Sequence, residues 1–262
     1  MSDIETRTDG RLALVTINRP GRGNSVTPQT VTELGDAVRD FAVRDDVDAV
    51  VITGTGSVFC AGADVQEMHA VYTSDGADGL MAYLADVWMP AVQATVRALW
   101  ACPKPVVAAL NGAATAGGLD FALTCDRRVA ATGARFAESY VNLGMVPVAG
   151  GAFLLPLFLG PARAIELLAS GRLVGTDEAA RIGLVDSICA PEELMSVAAA
   201  EAAALARGGA LTFARTKAVV RGAHTEALEA ALRESYAANV DLIATEPVRR
   251  SVIAVMEHHT RR

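Results

Sequence analysis

The stretch from Pro105 to Asp126, PVVAALNGAATAGGLDFALTCD, limits the fold more than any other part of the chain. Val106 to Leu110 is an uninterrupted apolar run, as in a strand buried on both faces. Asn111-Gly112 breaks it, small residues lead to Gly117-Gly118, and Leu119 to Leu123 suits a helix beginning near Gly117. The first N–H groups of a helix lack internal partners, and glycine lets a ligand approach them, so such a turn can hold developing negative charge. Asp120 follows one turn later on the same helix face. Alone, a glycine-rich strand-to-helix turn also fits plain packing or phosphate binding; with the carboxylate beside it, the combination suggests chemistry on a carbonyl.

A second turn of the same kind strengthens that suggestion. Val50 to Thr53 reads as another buried strand, Gly54 to Ser57 as a loop, and Phe59 to Met68 (FCAGADVQEM) as a strand end running through small residues into a helix. Two such turns can supply one N–H each to a single oxygen.

FCAGADVQEM together with NGAATAGGLDFALTCD resembles the enoyl-CoA hydratase/isomerase family, also called the crotonase family. The likeness runs nearly end to end, through LALVTINRPGRGNS at 12–25, Phe136 to Gly144, and LVGTDEAARIGLVD at 173–186. It implies an α/β fold: a crotonase-like spiral of repeated ββα units over 1–195 carrying the active site, then an all-helical oligomerisation region over 196–262. Relatives assemble as homotrimers or dimers of trimers. The motifs specify the fold more than the reaction, because the family hosts hydratases, isomerases, decarboxylases, hydrolases and C–C lyases on one scaffold.

Matched residue by residue, the resemblance places the two oxyanion-hole amides on Ala63 and Gly117. Coenzyme A, present only as part of a thioester substrate and not as a bound cofactor, is expected across the backbone of Ala61, Gly62, Ala63, Asp64 and Val65. Arg22 is the candidate for its phosphates and Lys217 a weaker one. The two glutamates of the family's hydratases match Asp120 and Tyr140. The first carboxylate is thus shortened by about 1.5 Å. The second is absent, and a tyrosine with an ordinary pKa of about 10 donates a proton but is a poor base unless activated. Glu138 is a further candidate, since in an extended segment it would share a face with Tyr140; a solvated or salt-bridged loop acid is the plainer expectation. Asp64 is expected to cap the following helix, and Glu67 and His69 to face solvent. The resulting expectation is an acyl-CoA enzyme of hydratase/isomerase type. A decarboxylase or C–C lyase on the same scaffold, or a catalytically silent member, is the alternative.

Composition narrows the remaining classes. A net charge of −7 with no basic cluster argues against nucleic acid. Cys60, Cys102, Cys125 and Cys189 are widely spaced, without a CxxC or Cys/His cluster, so free thiols are expected, and neither a disulfide framework nor a metal site. His69, His224, His258 and His259 stand in no recognisable Ser/His/acid context, which disfavours a serine hydrolase. The N-terminus lacks a basic and an apolar signal region, and a cytoplasmic protein is expected. The uncharged stretch 139–162 is long enough to span a membrane but is broken by prolines and glycines, so buried core or a subunit interface is the expected use. Along the chain, Tyr72 to Gly79 reads as a mobile surface loop, and the helix after it, around Leu80 to Trp100, should kink at Pro90. Thr176 is expected to cap a short helix ending at Gly183. Helices are expected at 192–206, 211–221, 225–243 and 247–258.

Overall fold

The structure, a computed structural model, describes residues 2–260, with side chains described as far as Glu257. The His258 and His259 side chains therefore lie outside the described set. In chain order the strands are β1 (Ile4–Asp9), β2 (Leu12–Ile17), β3 (Ala49–Gly54), β4 (Val58–Cys60), β5 (Val106–Leu110), β6 (Ala113–Thr115), β7 (Arg127–Ala131), β8 (Arg135–Ala137), β9 (Val174–Gly175) and β10 (Ser187–Cys189). One sheet runs β1-β2-β3-β5-β7-β10, parallel except for the β1–β2 hairpin. The other runs β4-β6-β8-β9, parallel except for β8–β9.

Each strand pair β3–β4, β5–β6 and β7–β8 places its first member in the large sheet and its second in the small one. That repeat is the spiral of ββα units expected from the sequence. The apolar runs follow from it, because β3 and β5 are buried along their whole length on both faces. Inward residues such as Val15, Ile52, Ala108 and Leu110 join the main core with helices α1 (Pro28–Val43), α2 (Val65–Tyr83), α3 (Met89–Ala101) and α4 (Gly117–Thr124). Outward residues Leu14, Val51, Val107, Ala109 and Val129 pack under Leu194, Ala198 and Ala202 of a later helix.

Several local expectations change. Residues 72–79 are not a loop: α2 continues through them and breaks only at Gly76 (φ 72°), a conformation L side chains rarely adopt. The helix expected over 80–100 is interrupted not at Pro90 but by a π-helical turn over Leu84–Trp88, and Pro90 sits in the first turn of α3. The stretch 139–162 folds as a 3-10 turn (Ser139–Leu143), then α5 (Gly151–Leu159), and enters α6 (Pro161–Ser170). Among the described residues no single helix is long and apolar enough to cross a membrane. In α7 (Thr176–Ile182) Thr176 is the first helical residue, not a cap; Gly175 holds the cap position without a side-chain bond, and Gly183 closes the helix as expected. After α8 (Leu194–Ala206), the two helices expected around Arg221 and Thr225 are one, α9 (Ala210–Ile243), which passes through Gly222 without a break. The last helix, α10 (Glu246–Thr260), returns to the core and packs on α2, with Arg249 paired to Asp78 at 2.7 Å. All four cysteines are free thiols, Cys189 half-buried and the others buried.

Candidate active site

Parallel pairing of β4 with β6 puts two strand ends side by side, and both lead into helices. Neighbouring strands lie about 4.8 Å apart, so the turns after them are close by construction. Gly118 shows how close: a Cβ there would lie 2.2 Å from the Cys60 carbonyl oxygen. A Cβ on Gly62 would lie 3.7 Å from the Gly117 nitrogen.

The direction of each amide follows from its peptide plane. All peptides are trans, so a carbonyl and the next N–H point opposite ways. The Gly62 carbonyl accepts from Val26 N at 2.8 Å, and Asp64 N donates to Val26 at 3.0 Å; the Ala63 N–H between them is turned away from Val26. The Ala116 carbonyl accepts from Leu119 and Asp120 N at 2.9 and 3.0 Å, so the Gly117 N–H leaves the helix start in the opposite direction. Ala116 adopts φ 48°, ψ −125°, a strained conformation for a residue with a Cβ, and its N–H is held by Ala137 at 2.8 Å. No acceptor for Ala63 or Gly117 N–H occurs among the described hydrogen bonds.

Ala63 and Ala116 both border a cavity of about 400 Å³. Its walls are mainly apolar: Ala61, Val65, Met68, Leu84, Trp88, Leu143, Met145 and Val255, with Thr115, Ser139, Asn142 and Tyr140 as the polar members. Trp88 and Leu84 arrive on the π-helical turn and Val255 on α10, which sequence periodicity alone did not single out.

Tyr140 is the only ionisable side chain lining the cavity among the described residues. Its Oη lies 3.4 Å from where a Gly117 Cβ would be, beside the Gly117 amide, and donates to Asp120 Oδ2 at 2.8 Å. Asp120 is fully buried behind it, and Glu138 is buried beside Asp120. The expected solvated or salt-bridged use of Glu138 is therefore wrong. The 3-10 turn that starts after Glu138 replaces an extended segment, and Glu138 reaches the Asp120–Tyr140 group from its cap position. Burial raises all three groups. It pushes the Asp120 carboxyl up to about 7, against the Tyr140 hydroxyl, the Glu138 carboxyl and the Ala149 and Gly151 backbone, which favour the ionised form. Burial and then the Asp120 charge hold Glu138 well above the usual carboxylate range, and both push the Tyr140 hydroxyl above its ordinary value.

The remaining candidates separate clearly. Asp64 caps α2, accepting from Gln66 and Glu67 N at 2.9 and 3.2 Å, and pairs with Arg19 at 2.8 Å. Its carboxylate is engaged by the helix start and Arg19. Arg22 is exposed on the Pro20–Arg22 turn, whose Gly23 lies against Ala61. Lys217 is buried on Asp126 at 2.6 Å and the Lys104 carbonyl at 3.1 Å, in the core beneath α9, and is removed as a phosphate ligand. Glu67 and His69 are half-buried instead of solvent-facing, and burial raises the Glu67 carboxyl beside Tyr83.

The family model for enoyl-CoA hydratase/isomerase matches residues 7–261. The chain belongs to the enoyl-CoA hydratase/isomerase family. It is 39% identical over 196 residues to a crotonyl-CoA hydratase of Syntrophomonas wolfei, covering 74% of this chain and 71% of that protein. It is 35% identical over 200 residues to a short-chain-enoyl-CoA hydratase of Clostridium acetobutylicum, with 76% and 73% covered. The crystal structure of an enoyl-CoA hydratase from Bacillus halodurans superposes with a TM-score of 0.87 at 25% identity, covering 97% of this chain and all of that one. This family member is thus a crotonase-fold enzyme of hydratase/isomerase type acting in CoA-thioester chemistry.

Proposed function

We propose that the enzyme forms a thioester enolate whose oxygen accepts from the Ala63 and Gly117 N–H groups, and that Tyr140, backed by Asp120, moves the proton. The supporting observation is a pair of amides turned away from their neighbours at one cavity, with Tyr140 Oη beside the second. Each donor of such a pair stabilises the transition state by about 3 to 4 kcal/mol. The Tyr140 proton points at Asp120, and the phenol oxygen, which carries two lone pairs, borders the cavity and can accept from it. A substrate C–H proton passes to Tyr140 Oη as the Tyr140 proton passes to Asp120 Oδ2. Reversal returns a proton to a different carbon, which completes an isomerisation without any outside acid or base.

A decarboxylase or C–C lyase is the second reading, favoured by the absence of any carboxylate from the described cavity wall. Breaking a C–C bond generates the enolate without a base, so the amide pair and one returning proton suffice. The CoA portion is proposed to lie along the backbone of residues 61–65 with its phosphates at Arg22. Region 196–262 is proposed to carry a homotrimer or dimer of trimers, since Leu211, Val219 and Val220 of α9 are 72%, 78% and 62% exposed.

Incubation with crotonyl-CoA, a 3-enoyl-CoA and a malonyl-type thioester, followed by product masses, separates gain of water, double-bond shift and loss of CO2. Tyr140→Phe should lower kcat on the active thioester about 100- to 1000-fold with little change in KM. Unchanged turnover would overturn the relay, and turnover of any thioester rules out a silent member.

A further inference from the structure

Glu138 has no role in the chemistry as written, yet its burial is hard to account for by packing alone. It is 2% exposed, and neither carboxyl oxygen meets a donor at hydrogen-bond geometry. Asp120 Oδ1 is in the same condition. The two meet at Gly151, where a Cβ would lie 2.2 Å from Asp120 Oδ1 and 3.1 Å from Glu138 Oε1. The titratable or charged groups facing Glu138 are Asp120 from α4, Tyr140 from its own turn and Arg172 from the segment after α6. Arg172 borders the same small cavity, but its guanidinium is held by Glu166 at 2.6 Å and Glu178 at 2.8 Å. Among the described residues no cation pairs with either acid. Two carboxylates this close and this dry cannot both be ionised.

We propose that Glu138 is a positioning residue that keeps its proton and donates it to Asp120 Oδ1, leaving one negative charge on the pair and Asp120 Oδ2 free to accept from Tyr140. This rests on the Tyr140–Asp120 relay and deepens it. Asp120 has two oxygens with opposite faces, one toward Tyr140 and one toward Glu138, so a proton on the Glu138 side leaves the Tyr140 side basic. Burial and the Asp120 charge act in the same direction, both favouring the protonated form of Glu138. No atom is gained or lost over a turnover, because the proton that enters Asp120 through Tyr140 leaves by the same route.

The test is a kcat–pH profile of the wild type, Glu138→Gln and Glu138→Leu with the thioester that turns over. The wild type should be bell-shaped, with the acid limb set by ionisation of the pair and the alkaline limb by loss of its remaining proton. Gln replaces the O–H donor with N–H and cannot titrate, so its alkaline limb should vanish while the acid limb stays. Leu removes the donor from a charged acceptor and should lower kcat about 10- to 100-fold, with Gln restoring most of that loss. An infrared band of a protonated carboxyl, present in the wild type and lost in Glu138→Gln, gives a readout independent of turnover and of whether the Leu variant folds. An alkaline limb that persists in Glu138→Gln, equal kcat for Gln and Leu, or an unchanged carboxyl band would overturn the proposal. Inactive Tyr140→Phe and Asp120→Asn with insensitive Glu138 variants would sink this inference alone; active ones would sink the relay beneath it.

Discussion

Gly118→Ala tests the site at its narrowest point. A Cβ at 118 would lie 2.2 Å from the Cys60 carbonyl oxygen, 2.7 Å from Cys60 Cβ and 2.9 Å from the Cys60 carbonyl carbon. Neither side can yield locally, since Cys60 is laddered to Ala114 and position 118 lies in the first turn of α4. Relieving the contact therefore means parting the two turns by roughly 1 Å, and a misplacement of that size can cost about 100-fold in rate, or about 2.7 kcal/mol. The same overpacking should lower stability by about 1 to 3 kcal/mol. Gly117→Ala is the built-in comparison: its Cβ would meet only Tyr140 Oη, at 3.4 Å, an ordinary contact. Steady-state kinetics on the active thioester, with thermal unfolding to check folding, should show kcat down about 100-fold for Gly118→Ala and a clearly smaller fall for Gly117→Ala. A folded Gly118→Ala enzyme with wild-type kcat, or the reverse ranking, would refute the idea that amide spacing controls the rate.

Burial raises the folded Asp120 carboxyl above its ordinary value, so its contribution to stability is complete below about pH 4 and is lost as pH rises through about 7, with Glu138 shifted in the same direction. The melting temperature should fall over that window and fall less in Asp120→Asn; parallel curves would contradict it. Asp64→Ala removes both the α2 cap and the partner of Arg19, which retains Asp3 at 3.1 Å. Urea unfolding should show a loss of about 3 to 4 kcal/mol, and a loss below 1 kcal/mol would mean the pair is replaceable. Arg22→Ala should raise KM about fivefold without altering kcat, the effect shrinking in high salt; an unchanged KM removes Arg22 from CoA binding.

The parts of the fold written in continuous apolar runs were legible: β3, β5 and the start of α4 stand where the sequence puts them. β1 was not, because IETRTD buries only Ile4 and reads as a polar terminus; its pairing comes from the hairpin with β2. The helix through 72–79 was hidden by glycines that tertiary contact with α10 overrides. At the site, Ala63, Gly117, Asp120 and Tyr140 could be named from motif order, but their layering could not. Nothing local to Glu138 says that it is dry, and nothing in Ala116 announces a positive φ; both depend on β8 and the turn after it closing over α4.

The single bridge from Val26 to Ala63 carries a last consequence. Because alternate peptide units face opposite ways, the identity of the amide offered to the cavity is a matter of parity. Inserting or deleting one residue between Cys60 and the Val26 contact would turn the side chains that follow to the opposite face and, on the proposed function, present a carbonyl where the Ala63 donor stood. Polarity at that spot would invert from attracting an anion to repelling one. Tolerance to length changes in this short segment should therefore alternate, odd changes abolishing function and even ones sparing more of it.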